Sequence, residues 1–146
     1  MTQPEAIKEP IRQTLSTDDW KRIEEKLSSA YGLVNLLIDG FTVTLQVQKT
    51  KPRRYEIVVF VNGWFRAEWL LKDCDQRRRF YDRKTKYVFS KKIREAERKF
   101  NKRYPNIGTS NPDLTYEYWV PWWASFSRMK AHFLKNNQSI EWVNNG

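Results

Sequence analysis

The chain is poor in the residues that most site chemistries require. Cys74 is its only cysteine, which excludes an intrachain disulfide and a cysteine-rich zinc site and fits a reducing compartment. His132 is its only histidine. No apolar run approaches the ~18–20 residues that cross a bilayer, and the opening MTQPEAIKEP lacks the apolar core of a signal peptide. A cytoplasmic protein with no membrane partner is therefore expected. Phosphate loop, dinucleotide fingerprint, nucleophile elbow and metal-ligand box are all missing. Neither catalytic nor metal-binding residues are assigned, and no cofactor is expected.

What the chain has is positive charge, gathered in one place. Residues 72–103 hold 14 Lys/Arg against 5 Asp/Glu, a balance of +9 out of the total +10, and the remainder holds 13 against 12. Charge this local is a surface feature, and it favours a polyanionic partner, nucleic acid first. The chain is also aromatic, with seven Trp in 146 residues and 40% apolar composition. That argues for a packed core over most of its length and for some aromatic surface.

Periodicity predicts an α+β fold in a single domain over 16–146, preceded by a polar leader over 1–15 that carries Pro4 and Pro10. Ser16-Thr17 can cap a helix over about 17–31, with Trp20, Ile23, Leu27 and Ala30/Tyr31 on one stripe and Gly32 as its stop. A meander follows. Leu33–Ile38 and Phe41–Gln48 flank Asp39-Gly40, and Tyr55–Val61 and Trp64–Leu70 flank Asn62-Gly63, both pairs being type I′ hairpin signals. Phe41, Val43, Leu45 and Val47 alternate with Thr42, Thr44, Gln46 and Gln48, so one face of the sheet needs helices over it. Residues 72–81 read as a loop or short helix, and Lys86–Phe89 as a brief strand. A helix over 91–103 sets Ile93, Ala96, Phe100 and Tyr104 against Lys91, Arg94, Arg98 and Lys102. Thr115–Val120 reads as a strand, about 122–136 as a helix, and Ile140–Val143 as a final short strand. The expected architecture is a four- to five-stranded antiparallel meander covered on one face by helices at about 17–31, 91–103 and 122–136.

The candidate nucleic-acid contacts are Arg77, Arg78, Arg79, Arg83, Lys84, Lys86, Lys91, Arg94, Arg98 and Lys102. Cations of this kind hold phosphates and release counterions, and arginine adds forked hydrogen bonds. Phe80, Tyr81, Tyr87, Trp122 and Trp123 are the candidate stacking or interface residues. The aromatic group Tyr116, Tyr118, Trp119, Trp122 and Trp123 reads either as a stacking platform or as core under the sheet. Lys49–Arg54 forms a second basic patch at the far end of a hairpin from Asn62-Gly63. The bland alternative for the main cluster is a solvated helix face, with Glu95 and Lys99 paired at i,i+4. His132 lies among Arg128, Lys130, Lys135, Asn136 and Asn137, which invites comparison with a nuclease. The carboxylates Glu56, Glu68, Asp73 and Asp75, however, have no spacing that demands a metal.

The stretches VNGWFRAEWLLKDCDQRRRF (61–80) and SFSRMKAHFLKNNQSIE (125–141) resemble small accessory proteins of bacteriophages and prophages. The resemblance implies a setting rather than a site: such proteins modulate host functions or block host defences, CRISPR complexes included, by stoichiometric binding. The expected function is non-enzymatic binding of nucleic acid or a ribonucleoprotein through the basic surface. Two alternatives stand beside it. One is a protein-only inhibitor or adaptor that sets its Trp/Tyr cluster on an acidic host protein; the other is a metal-dependent nuclease.

Overall fold

The computed structural model describes residues 15–64, 66–108 and 110–143. The expected leader over 1–15 lies, but for Leu15, outside them, as does Phe65. Within the stretch expected as one domain, the contacts gather into two compact units. One takes the residues up to Asp82 together with those from Val120 onward, and the other is Arg83–Trp119.

The first unit begins with α1 (Thr17–Leu27). Ser16 Oγ accepts from the Asp19 N–H while the Asp19 carboxylate accepts from the Ser16 N–H, a reciprocal cap. Trp20, Ile23 and Leu27 are buried, as their spacing requires. The helix stops a turn earlier than expected. Ser28 caps it, Tyr31 takes a positive φ of 62° and stands exposed, and Gly32 follows with no room for a side chain. A Cβ there would lie 1.9 Å from the Lys26 carbonyl oxygen.

β1 (Leu33–Ile38), β2 (Phe41–Lys51) and β3 (Arg54–Val61) form the antiparallel centre of the sheet. Asp39 and Gly40 both adopt positive φ, 47° and 86°, as a type I′ turn demands. The register sets Val43 against Val61, Leu45 against Val59 and Val47 against Ile57. This produces one apolar face and leaves Thr42, Thr44, Gln46 and Gln48 on the other.

The fourth strand is a correction. Asn62-Gly63 makes its positive-φ turn, but among the described residues the return closes one bridge, Val61 to Trp64. The chain then enters a one-turn helix, α2 (Glu68–Leu71), where a strand over Trp64–Leu70 was expected. The place beside β3 is taken by β6 (Trp122–Trp123), paired Val58 to Trp122 and Ile57 to Trp123. A pairing over some sixty residues of sequence leaves no local signal.

Between them lie α3 (Asp75–Phe80), β4 (Asp82–Tyr87), α4 (Lys91–Arg103) and β5 (Thr115–Val120). After β6 comes α5 (Phe126–Asn136), shorter than the helix expected from 122, because Trp122 and Trp123 are extended and Ser125 Oγ caps the Arg128 N–H instead. β7 (Ile140–Trp142) closes the sheet beside β1, for a strand order β6-β3-β2-β1-β7. The fold class is α+β, as expected.

The core lies between the apolar sheet face and the helices α1, α3 and α5. Phe80 meets Phe41 and Phe133 edge to face at 5.5 and 5.8 Å, and Phe133 meets Trp123 at 6.3 Å. Leu36, Ile38, Val43, Leu45, Met129 and Phe133 are fully enclosed. Each such side chain contributes roughly 1.5–3 kcal/mol by leaving water.

In the second unit Val88, just past β4, donates to the Leu114 carbonyl, just before β5, at 2.9 Å. The two strands therefore run antiparallel, and residues of equal parity share a face. Lys84, Lys86, Tyr116 and Tyr118 fall on one face; Arg83, Tyr87 and Glu117 fall on the other. α4 has the expected bounds, with Ser90 Oγ accepting from the Ile93 N–H.

Candidate nucleic-acid interface

The basic segment divides between the two units, and its members have different environments in each. In the first unit, Arg79 is a structural residue. Its Nη1 donates to Asp39 Oδ2 at 2.7 Å and to Asn137 Oδ1 at 3.0 Å, and its Nε donates to Asp75 at 2.8 Å. Asp39 meanwhile accepts the backbone N–H of Gln138 at 2.9 Å and of Ser139 at 2.8 Å. One arginine and one aspartate so join the β1–β2 turn, α3 and the end of α5. Burial pushes the Asp39 carboxyl up, but the two N–H donors and the Arg79 guanidinium outweigh it and hold the group below its usual range. Arg79, expected on a phosphate-binding surface, is committed to this hub.

Phe80, Tyr81 and Trp123 are corrected in the same sense. All three are buried, and the Trp123 Nε1–H donates to the Phe80 carbonyl at 2.9 Å, so none offers a face to a base. Burial raises the Tyr81 phenol above its ordinary value. Trp122 is half-buried on the sheet edge. Arg77 is half-buried on α3, and Arg78 is exposed beside Asp73 at 3.4 Å, a surface pair of little weight.

His132 is held at both ring nitrogens. A carbonyl can only accept, so Nε2–H donates to the Arg78 oxygen at 2.8 Å, and Nδ1 accepts from Asn136 at 3.2 Å. The ring lies 5.1 Å from that of Trp123. Burial is the main cause of its lowered pKa. This is a neutral, positioned imidazole with neither nitrogen open to a substrate. Among the described residues no three His, Cys, Asp or Glu side chains gather closely enough to hold a metal ion, and no helix is long and apolar enough to cross a membrane.

The second unit holds ten Lys/Arg and four acids, and three of those acids have partners inside the unit. Asp113 accepts from Arg98, Glu97 from the Ser110 hydroxyl, and Glu117 lies 3.8 Å from Arg83. Arg94 lays its guanidinium on the Tyr87 ring at 3.7 Å, a cation–π contact that covers one face of that ring. Lys86, Lys91, Lys92, Lys99, Lys102 and Arg103 have no ion pair among the described residues, and all are exposed. Five of these six line one side of α4 at its period of 3.6. Of the expected contacts here, Lys86, Lys91 and Lys102 therefore stand open, Lys84 is half-buried, and Arg83, Arg94 and Arg98 are engaged within the unit.

α4 is oriented differently from its expected apolar-in arrangement. The side turned inward carries Arg94, Glu97 and Asn101. Asn101 Nδ2 donates to the Ser110 carbonyl at 3.0 Å, and Gly108 fits against Asn101, where a Cβ would sit 2.1 Å from Oδ1. Ile93, Phe100 and Tyr104 keep 47%, 45% and 42% of their surface open. No residue of Arg83–Trp119 is fully buried among those described; a ribbon, a loop and a helix offer too little apolar surface to enclose one.

The second basic patch lies at the tip of the β2–β3 hairpin in the first unit. Lys49, Lys51, Arg53 and Arg54 are exposed there, beside the edge-to-face pair Tyr31 and Tyr55 at 6.3 Å. Arg54 reaches the buried Glu56 at 3.6 Å.

Compared with family models, curated proteins and solved structures, the chain matches none.

Proposed function

We propose that the protein is a non-enzymatic binder of nucleic acid, free or within a ribonucleoprotein, and that the second unit supplies the contact. The observation that carries this reading is the set of exposed cations Lys86, Lys91, Lys92, Lys99, Lys102 and Arg103, which have no ion pair among the described residues, with the exposed rings of Phe100, Tyr104 and Tyr116 in the same unit. Such cations can turn toward phosphates without giving up an ion pair, whereas paired ones must first lose theirs. In the phage-type setting that the resemblance implies, the protein acts in the host cytoplasm. There it occludes the nucleic acid of a defence complex, such as CRISPR, one to one.

The test is affinity for DNA and RNA across a salt series. About six contacted phosphates give a log–log slope of roughly −5 on duplex, and a loss of about 10³-fold in affinity between 50 and 200 mM salt. Negligible binding at low salt would remove the reading.

One observation favours a second reading. The open Ile93, Phe100 and Tyr104 beside the α4 cations also fit an acidic protein surface with apolar anchors. A host complex that survives nuclease digestion and is lost with Phe100→Ala supports it.

A further inference from the structure

The β4–β5 ribbon carries its own arrangement of rings and charge. Tyr116 and Tyr118 lie two apart on β5, so their side chains leave the same face, with ring centroids 5.9 Å apart and planes tilted by 40°. Lys86 stands opposite Tyr116 on that face by the Val88–Leu114 pairing. Tyr116 is 46% exposed, and Val88 and Leu114 extend the exposed apolar strip to the ribbon's end. α4 meets the other face, where Arg94 covers Tyr87.

We infer that this face binds single-stranded nucleic acid, with successive bases stacked on Tyr116 and Tyr118 and Lys86 on the backbone; the inference rests on the polyanion reading and names its substrate. Residues two apart in a strand repeat at about 6.6 Å, a spacing that extended nucleotides can follow and the stacked bases of a duplex cannot. A π-face accepts any base, so the platform is tolerant of sequence, while the neighbouring lysine supplies the charge complement. A duplex hides its base faces, so it can use only the cations.

Oligonucleotides of equal length measure this with the full chain: a single strand, its duplex, and a strand with abasic positions that keeps every phosphate. At fixed salt the single strand binds about tenfold tighter than the abasic strand, and Tyr116→Ala removes about that factor for the single strand alone. Tyr116→Phe keeps the ring and the affinity. Lys86→Ala lowers the single-strand salt slope by about 0.7 and leaves the preference for bases. Equal affinity for intact and abasic strands, or an equal loss of duplex and single-strand binding in Tyr116→Ala, overturns the stacking platform while the polyanion reading stands. No binding of any of the three at low salt overturns both.

Discussion

Arg79 and Lys102 belong to the same run of basic residues, yet the two units use them for opposite purposes. In the first unit the acids and cations face each other across the fold, as Asp39 does Arg79 and Asp82 does Arg128 at 3.2 Å. In the second, three of the four acids are taken by partners within the unit and lysines remain over. The aromatics divide the same way: Phe80, Tyr81 and Trp123 are enclosed, while Tyr87, Phe100 and Tyr116 are open. Residue type alone therefore says little about role. What decides is whether the fold supplies an acid or an apolar neighbour.

Two phenylalanines, one in each unit, should differ most. Phe133→Ala empties a fully buried site between Phe80 and Trp123 and is expected to cost about 3–5 kcal/mol, whereas Phe100→Ala on α4 costs about 1 kcal/mol or less. Urea unfolding of both variants measures the difference. A similar cost for both would mean that α4 is packed far more firmly than its exposure implies.

Arg79→Ala should cost about 2 kcal/mol, since Asp39 and Asn137 lose a charged donor in a part-buried place. Its affinity for a polyanion should remain that of the parent. The triple change Lys91→Ala, Lys99→Ala and Lys102→Ala has the opposite profile. Unfolding free energy stays within about 0.5 kcal/mol per site, while the duplex salt slope falls by about 2.7.

Acid acts on two groups of the first unit. Asp39 has a folded pKa below its unfolded value, so its contribution is present above the unfolded pKa of 3.8 and is lost as pH falls through the folded one. His132 is also depressed, from 6.5. In the interval below 6.5 the unfolded chain binds the extra proton, so stability declines as pH falls there. His132→Gln should flatten that interval in pH-dependent thermal unfolding without altering nucleic-acid binding. Asp39→Asn should flatten the lower one, because it removes the carboxylate that takes up the proton.

Local signals were readable in the sequence wherever the physics is local. Ser16 caps α1, Asp39-Gly40 turns the hairpin, and β2 alternates residue by residue. The unread parts depend on partners far away in the chain. Nothing near Trp122 announces that it will pair with Val58, and nothing near Arg79 announces Asp39, forty residues earlier. The strand expected over Trp64–Leu70 failed for the same reason, its place being filled from elsewhere. The stripe Ile93, Phe100 and Tyr104 implies a buried face by periodicity, but the small second unit has too little apolar surface to cover it. The tyrosines of β5 were visible as an aromatic group; that Tyr116 is exposed, Tyr118 half-buried and Trp123 enclosed follows only from the fold.

Amide chemical shifts recorded while the full chain is titrated with a short oligonucleotide at low salt give the most direct test. Shifts concentrated in residues 84–104 and 114–118, with Phe80, Asn137 and Trp123 unmoved, are what the division between the two units requires. Shifts centred on the first unit, or none at all, would contradict it.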